Sequence, residues 1–242
     1  MADGPRLNID VEEKRFPSSA APLLENFHVT IQPSQVVALV GPSGVGKSSL
    51  LRMIAGVDDD YSGSITIDGE AAGTAPPAGF VFQDARLLPW LTALENIRAV
   101  REETTEAEAR DFLARVGLAG SENAYPAQLS GGMQRRVALA RAFSVNPRLL
   151  LLDEPFVSLD AHLVADVQRV FVDLIRQTRS TAILVTHLPA DAARIADRAI
   201  VLGGRPARIM ADIELSPARD IRSEEQLRAL ALAIANYDEA PN

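Results

Sequence analysis

Residues 41–48 read GPSGVGKS, the pattern G-x-x-x-x-G-K-[ST], set between an apolar run at 35–40 and the helical pattern SSLLRMIAG. That placement restricts the chain to folds in which a buried strand turns sharply into a helix. Glycine admits backbone conformations that other residues avoid, so the loop can curl with the amides from Gly44 through Val45, Gly46, Lys47 and Ser48 turned inward. Together with the N-terminus of the following helix they form a cradle for phosphate oxygens. Lys47 is expected to reach β- and γ-phosphates, and the Ser48 hydroxyl to coordinate Mg²⁺. Gly41, Pro42, Ser43 and Ser49 complete the expected nucleotide-binding set. For the bare pattern the alternative is a structural turn carrying an exposed lysine; the strand and helix flanks argue against it.

Two further apolar runs, 149–152 and 181–185, lack polar alternation, as strands covered on both faces of a parallel sheet do. Each run is followed by a glycine-rich turn or an acidic residue and then a helical pattern, which predicts a doubly wound α/β core. Alternating segments at 7–11, 27–31 and 64–68 predict a small antiparallel layer with solvent on one side. From 87 to 142 the pattern is mainly helical. Thr105 and Glu108 have capping-box spacing ahead of Phe112, Leu113 and Val116, and Gly117 supplies a stop. Ser223 and Gln226 repeat the start signal before Leu227, Leu230 and Ile234, predicting a terminal amphipathic helix. The acidic run at 58–60 reads as a solvated loop.

With 242 residues, 47% of them hydrophobic and 23% charged, the chain has the composition of a folded domain rather than a disordered one. Its 24 basic and 32 acidic side chains give a formal charge of −8, which opposes attraction to a phosphate backbone, so nucleic acid is excluded as a partner. Cysteine is absent, consistent with a reducing compartment such as the cytosol. No run approaches the ~20 consecutive apolar residues of a membrane span. The beginning MADGPRLNID lacks the basic and apolar regions of a signal peptide.

Residues 149–155, LLLLDEP, place Asp153 and Glu154 at the end of a buried strand, where ligands of open α/β sheets bind. Asp153 is the expected Mg²⁺ ligand, directly or through water, and Glu154 the base for an attacking water. Alone, such an acidic pair would also read as a helix cap. Residues 129–136, LSGGMQRR, open another helix with Ser130, Gly131 and Gly132, a second anion cradle in the same chain. Here the sequence resembles the nucleotide-binding subunits of ABC transporters, whose signature is LSGGQ or a near variant.

The resemblance runs from about residue 7 to residue 202. It implies a P-loop NTPase core with a mainly parallel sheet, a small antiparallel β layer and an inserted helical subdomain, all within one nucleotide-binding domain spanning 1–242. The RecA-like core and its β layer would occupy 1–86 and 143–205, the helical subdomain 87–142 and a helical tail 206–242. It also implies ATP and Mg²⁺, and a homodimer in which the signature of one subunit closes over ATP on the phosphate loop of the other. Gln83 in FVFQD matches the Q-loop residue, which senses the γ-phosphate or Mg²⁺ and contacts the membrane subunits. His187 in ILVTH, taken as the end of the last core strand, matches the switch histidine. Asp160, after Ser158 and Leu159, matches the D-loop, although VSLD stands where SALD is usual. As lone residues, Gln83 and His187 would read as ordinary polar groups at strand ends. Phe16 stands where the family has its adenine-stacking aromatic, or else packs into the antiparallel layer. His28 and His162 match nothing and read as surface or satisfied polar groups.

Two short stretches, FQDARLLPWLTALENI and GGRPARI, resemble importer subunits of the nitrate, sulfonate and taurine type. The resemblance then implies an importer of a small anion or sulfonate-like solute, with transmembrane permease subunits, a solute-binding protein and a site on the cytoplasmic face of the cell membrane. Leu88, Pro89 and Trp90 would receive a helix of the membrane subunit, or pack within the helical subdomain. An exporter or lipoprotein-release ATPase shares the hydrolytic motifs; a non-transport ABC ATPase would need a coiled-coil insertion, twin cassettes or a basic surface.

Overall fold

The computed structural model describes residues 3–17, 21–101, 103–157 and 161–238. Six strands form the central sheet: β3 (Val36–Val40), β6 (Gly79–Val81), β7 (Leu149–Asp153), β8 (Thr181–Thr186), β9 (Arg198–Gly203) and β10 (Arg208–Glu214). Their order is β10-β9-β3-β8-β7-β6, parallel throughout except for β10 at the edge. Every residue of β3, β7 and β8 is buried. The reason is visible in how alternate residues divide. Val36, Ala38 and Val40 join one apolar cluster with helices α4 (Gly131–Ser144), α5 (Ala161–Thr178) and α6 (Pro189–Ile195). Val37 and Leu39 join the other, with α1 (Lys47–Ile54) and the antiparallel strands. A strand covered on both faces has no position where a polar residue is cheap, so its sequence cannot alternate.

The second sheet has the order β2-β1-β4-β5, built from β1 (Leu7–Lys14), β2 (Leu24–Ile31), β4 (Ser62–Ile67) and β5 (Glu70–Ala71). Leu7, Ile9 and Val11 point inward and alternate with exposed residues. Between Val11 and Glu13 the register against β4 slips, and Asn26 on the paired stretch of β2 takes φ 50°. The slip reverses the facing of the strand beyond it, so Lys14 enters the interior that its even-numbered predecessors avoid. Its Nζ donates to Asp58 Oδ1 at 2.8 Å and to the Asp60 carbonyl at 2.6 Å. The run 58–60 is therefore no mere solvated loop: it supplies the counter-charge of a buried lysine.

Helices α2 (Ala93–Arg98), α3 (Glu106–Arg115) and α4 make up the inserted helical region. Thr105 caps α3 with Glu108 in a reciprocal box, and Thr92 with Glu95 does the same for α2. Arg136 of α4 donates to the Val116 and Gly117 carbonyls at the end of α3. Gly117, at φ 70°, takes the left-handed turn that terminates the helix.

Two expectations about the C-terminal part need correction. The segment after residue 205 is not wholly helical: β10 pairs antiparallel with β9 before α7 (Glu224–Asp238) begins. Its alternating half-exposed pattern is that of an edge strand with one face in solvent. Nor is β8 the last core strand, since β9 follows it and lies on the other side of β3. Arg222 fastens α7 to the body by donating to the carbonyls of Ala193, Ala196, Leu215 and Pro217. No helix among the described residues is long and apolar enough to cross a membrane.

Candidate functional site

Parallel pairing aligns three strand ends. Val40 sits opposite Thr186, and Asp153 opposite Val185, so the residues that follow β3, β7 and β8 emerge together from one sheet edge. The phosphate loop, Glu154 and His187 are neighbours for that reason alone. Gly41 is required by a close approach, because a Cβ there would meet the Leu202 carbonyl oxygen at 2.4 Å. Gly46, at φ 114°, is the N-cap of α1. Lys47 opens the helix and is almost fully buried; its Nζ arcs back to the carbonyls of Gly41 (2.6 Å) and Pro42 (2.9 Å). A cation held across the loop neutralises carbonyls that would otherwise face an incoming anion.

The Ser48 hydroxyl donates to Asp153 Oδ1 at 2.9 Å. Burial pushes the Asp153 carboxyl above its ordinary range, opposed by that hydrogen bond and reinforced by the neighbouring charge of Glu154. A buried carboxylate beside a hydroxyl is a site that a cation would relieve. Mg²⁺ favours a small number of oxygen ligands, with waters and phosphate oxygens completing its octahedron. No group of three or more potential ligands among His, Cys, Asp and Glu exists among the described residues. The Asp153 carboxylate and the Ser48 hydroxyl are hard oxygen donors of the kind that fit Mg²⁺.

Glu154 adopts φ 48°, a left-handed conformation that costs a non-glycine residue roughly 1–2 kcal/mol. Its amide is held by the Val185 carbonyl at 3.0 Å, and its side chain reaches the cleft. His187 Nδ1 lies 3.2 Å from Glu154 Oε1, within ion-pair range but without the alignment of a hydrogen bond. Behind the histidine, buried Asp191 accepts from Gln168 Nε2 at 2.8 Å and from Thr186 Oγ1 at 3.3 Å. Thr186 Oγ1 in turn accepts the Leu188 amide at 3.0 Å, so both chain neighbours of His187 are pinned.

The phosphate loop and Glu154 line a cleft of about 390 Å³. Ser43, Gly44, Gly46, Lys47, Ser48 and Ser49 form its floor, with Gln83, Glu154 and Phe16 around it. Phe16 is 39% exposed, which excludes the alternative of a core phenylalanine. Lys14 Nζ sits 5.2 Å from its ring centroid. Val45 faces the apolar core instead and anchors the loop from beneath. A larger cavity, about 630 Å³, opens where β6 and β7 begin, at the opposite end of the strands, and holds none of these groups.

Ser130, Gly131 and Gly132 stand apart from this cleft. Ser130 caps α4 by accepting the Met133 amide at 3.3 Å, and Gly131 lines a different concavity, about 420 Å³, with Asp84, Arg86, Leu87 and Pro89. Trp90 is 69% exposed, so it does not pack within the helical region. His28 is a surface residue paired with Asp10, its Nδ1 2.7 Å from Oδ1. Ser158, Leu159 and Asp160 lie outside the described residues, and the His162 side chain is likewise not described. Sequence reasoning missed Lys14, Gln168 and Asp191. A polar residue within an apolar stretch was the available signal for Asp191, but the register slip that buries Lys14 has no signature in residue type.

Comparison with known proteins places this geometry. The family model for ABC transporter matches residues 24–157. The chain is 41% identical over 210 residues to the aliphatic sulfonates import ATP-binding protein SsuB of Bacillus subtilis (strain 168), covering 84% of this chain and 82% of that protein. It is 40% identical over 222 residues to the taurine import ATP-binding protein TauB of Pseudomonas syringae pv. tomato, covering 89% of this chain and 85% of that one. Among solved structures it resembles the dimeric ATP-binding cassette MJ0796 in a post-hydrolysis state bound to ADP and Pi. There the TM-score is 0.78 at 28% identity, over 88% of this chain and all of that one.

Proposed function

Since the chain belongs to the ABC transporter family as an ATP-hydrolysing subunit, we propose that it drives import of a sulfonate-like or related small anionic solute. Two copies associate head to tail around two ATP molecules. One observation carries this reading: the phosphate loop lines one cleft, and Gly131, at the start of the helix capped by Ser130, lines a different one in the same chain. A single triphosphate cannot use both from the same molecule, so a second copy completes each reaction centre.

Within the cleft, the loop amides and Lys47 hold the phosphates, and Phe16 offers a face for the adenine. Ser48, Asp153 and Gln83 hold Mg²⁺, which neutralises phosphate charge when bound. Glu154 orients and deprotonates the attacking water, with His187 beside it. Ser130, Gly131 and Gly132 of the partner bring a second set of amides. Positioning and charge stabilisation supply most of the barrier lowering in phosphoryl transfer, so the cradle matters as much as the base. Leu88, Pro89 and Trp90, the last of them exposed, form part of the surface that receives a helix of a permease subunit. A solute-binding protein completes the transporter, which sets this chain at the cytoplasmic face of the cell membrane. The proposed organisation is a RecA-like core with its β layer over 1–86 and 143–205, joined by β10, a helical subdomain over 87–142 and a terminal helix.

Two variants test the reading. Glu154→Gln is expected to abolish ATP turnover while trapping an ATP-bound dimer on size-exclusion chromatography; turnover at the parental rate removes Glu154 as the base. Ser130→Arg is expected to block turnover with ATP affinity of the monomer unchanged. A matching loss of monomer affinity would place Ser130 in the same-chain site and defeat the two-copy arrangement.

A further inference from the structure

Helix α4 carries Ser130 at its start and Arg141 three turns later, about 16 Å along the axis at 1.5 Å per residue. The Arg141 guanidinium donates through Nη1 to the Arg86 carbonyl and through Nη2 to the Ala85 carbonyl, both at 3.0 Å. Burial lowers its pKa from the free arginine value, yet a guanidinium stays charged at any physiological pH. These are charge-assisted bonds in a fork geometry that lysine cannot reproduce.

The segment so gripped is folded back on itself. Arg86 takes φ 44°, and its guanidinium lies 4.1 Å from the Phe82 ring centroid. Phe82 stacks on Phe80 of β6 at 4.2 Å. Gln83 and Asp84 therefore form a tip, bounded on one side by the aromatic stack on the sheet and on the other by the grip of α4. The tip also straddles both clefts: Gln83 lines the phosphate-loop cleft, while Asp84 and Leu87 line the one containing Gly131. The sheet end of the segment is set by strand pairing, and the far end is set by Arg141.

We propose that Arg141 is a positioning residue for Gln83, tying the location of the 83–87 segment to that of the signature helix. When Ser130–Gly132 move to engage a nucleotide on the partner, the same rigid helix carries Ala85 and Arg86 with it and brings Gln83 into place. Cleft closure and completion of the cation site thus become one movement. This rests on the function proposed above, in which Gln83 acts at the cation.

A double-mutant cycle on the full chain tests it, with steady-state ATP hydrolysis as the readout. Arg141→Lys keeps the charge but is shorter and loses the planar fork whose two separate nitrogens each hold one carbonyl. It is expected to lower kcat about tenfold, the usual scale for removing a group that orients a ligand, with KM for ATP little changed. The cycle decides between roles. If Arg141 works through Gln83, the Gln83→Ala/Arg141→Lys double variant turns over no more slowly than Gln83→Ala alone. Independent multiplication of the two losses, or parental kcat in Arg141→Lys, overturns the proposal and leaves the Glu154 and Ser130 tests unaffected. Parental kcat in Gln83→Ala removes that residue from the mechanism and the proposal with it. Should Arg141→Lys not fold, Phe82→Leu loosens the same segment from the sheet side without touching α4. It is expected to lower kcat with the same lack of additivity toward Gln83→Ala, and additive losses overturn the proposal equally.

Discussion

The Ser48 hydroxyl donates to Asp153 at 2.9 Å although 105 positions of sequence separate them. The bond exists because β3 and β7 flank β8 in parallel register, so the residues following β3 and ending β7 arrive at one edge. A chain with antiparallel central strands would send those ends to opposite edges.

The buried Asp153 carboxyl makes the site a local cost to the fold. Its folded pKa is raised, chiefly by burial, so between the unfolded and folded values the native state binds more protons than the unfolded chain. Stability therefore falls as pH rises through that window. The cost is absent below the ordinary aspartate value near 4 and complete above the folded one. Asp153→Asn keeps an acceptor for Ser48 and removes the charge. It is expected to stabilise the nucleotide-free protein by roughly 1 kcal/mol at neutral pH, a typical gain from relaxing a functional site, and by nothing near pH 4. Hydrolysis should fall by at least about 100-fold, as when charge stabilisation is lost. Thermal melts at both pH values decide it; a melting temperature below the parent at neutral pH counts against the argument.

Phe16 and Lys14 touch each other, yet their losses should differ in kind. Stacking a base on an aromatic contributes about 1–3 kcal/mol, so Phe16→Ala is expected to raise KM for ATP at least about fivefold with kcat nearly preserved. Lys14 is another matter. Its cation–π contact with Phe16 contributes at most about 1 kcal/mol, whereas breaking a buried ion pair costs about 3–5 kcal/mol. Asp58 is partly solvated and recovers some hydration, so Lys14→Met is expected to cost about 2–3 kcal/mol in urea denaturation, with a smaller effect on KM than Phe16→Ala. A larger KM effect from Lys14→Met would reverse this ranking.

Much of this was legible in residue order because the core strands are covered on both faces and must be apolar throughout. The phosphate loop, the Asp153–Glu154 strand end and the Ser130 helix start follow from short-range pattern. The features that escaped depend on pairing. Lys14 lies where a register slip turns a solvent face inward, and residue types alone do not mark the slip. β10 alternates and flanks a buried strand, yet its short, half-exposed sequence carries little signal against a helical tail. Arg141 reads as an ordinary basic residue, since its partners are backbone carbonyls, which sequence does not encode.

Asp191 shows the same principle at the histidine. Its carboxylate accepts from Gln168 and Thr186, and Thr186 accepts from the Leu188 amide, a chain linking α5, α6 and the turn that bears His187. Asp191→Leu removes the only shared acceptor in this set and strands buried donors, each costing about 1–3 kcal/mol. Asp191→Asn retains one acceptor oxygen and should lose less. The expected order of both stability and kcat is parent, then Asn, then Leu, with kcat in the leucine variant down about tenfold, as for groups that orient a reacting side chain. KM for ATP should change little, because His187 lies beside Glu154 rather than in the loop that binds the phosphates. Urea titration and steady-state kinetics on the same preparations measure both orders. A leucine variant that loses stability but keeps parental kcat would show that the network holds the fold without positioning His187.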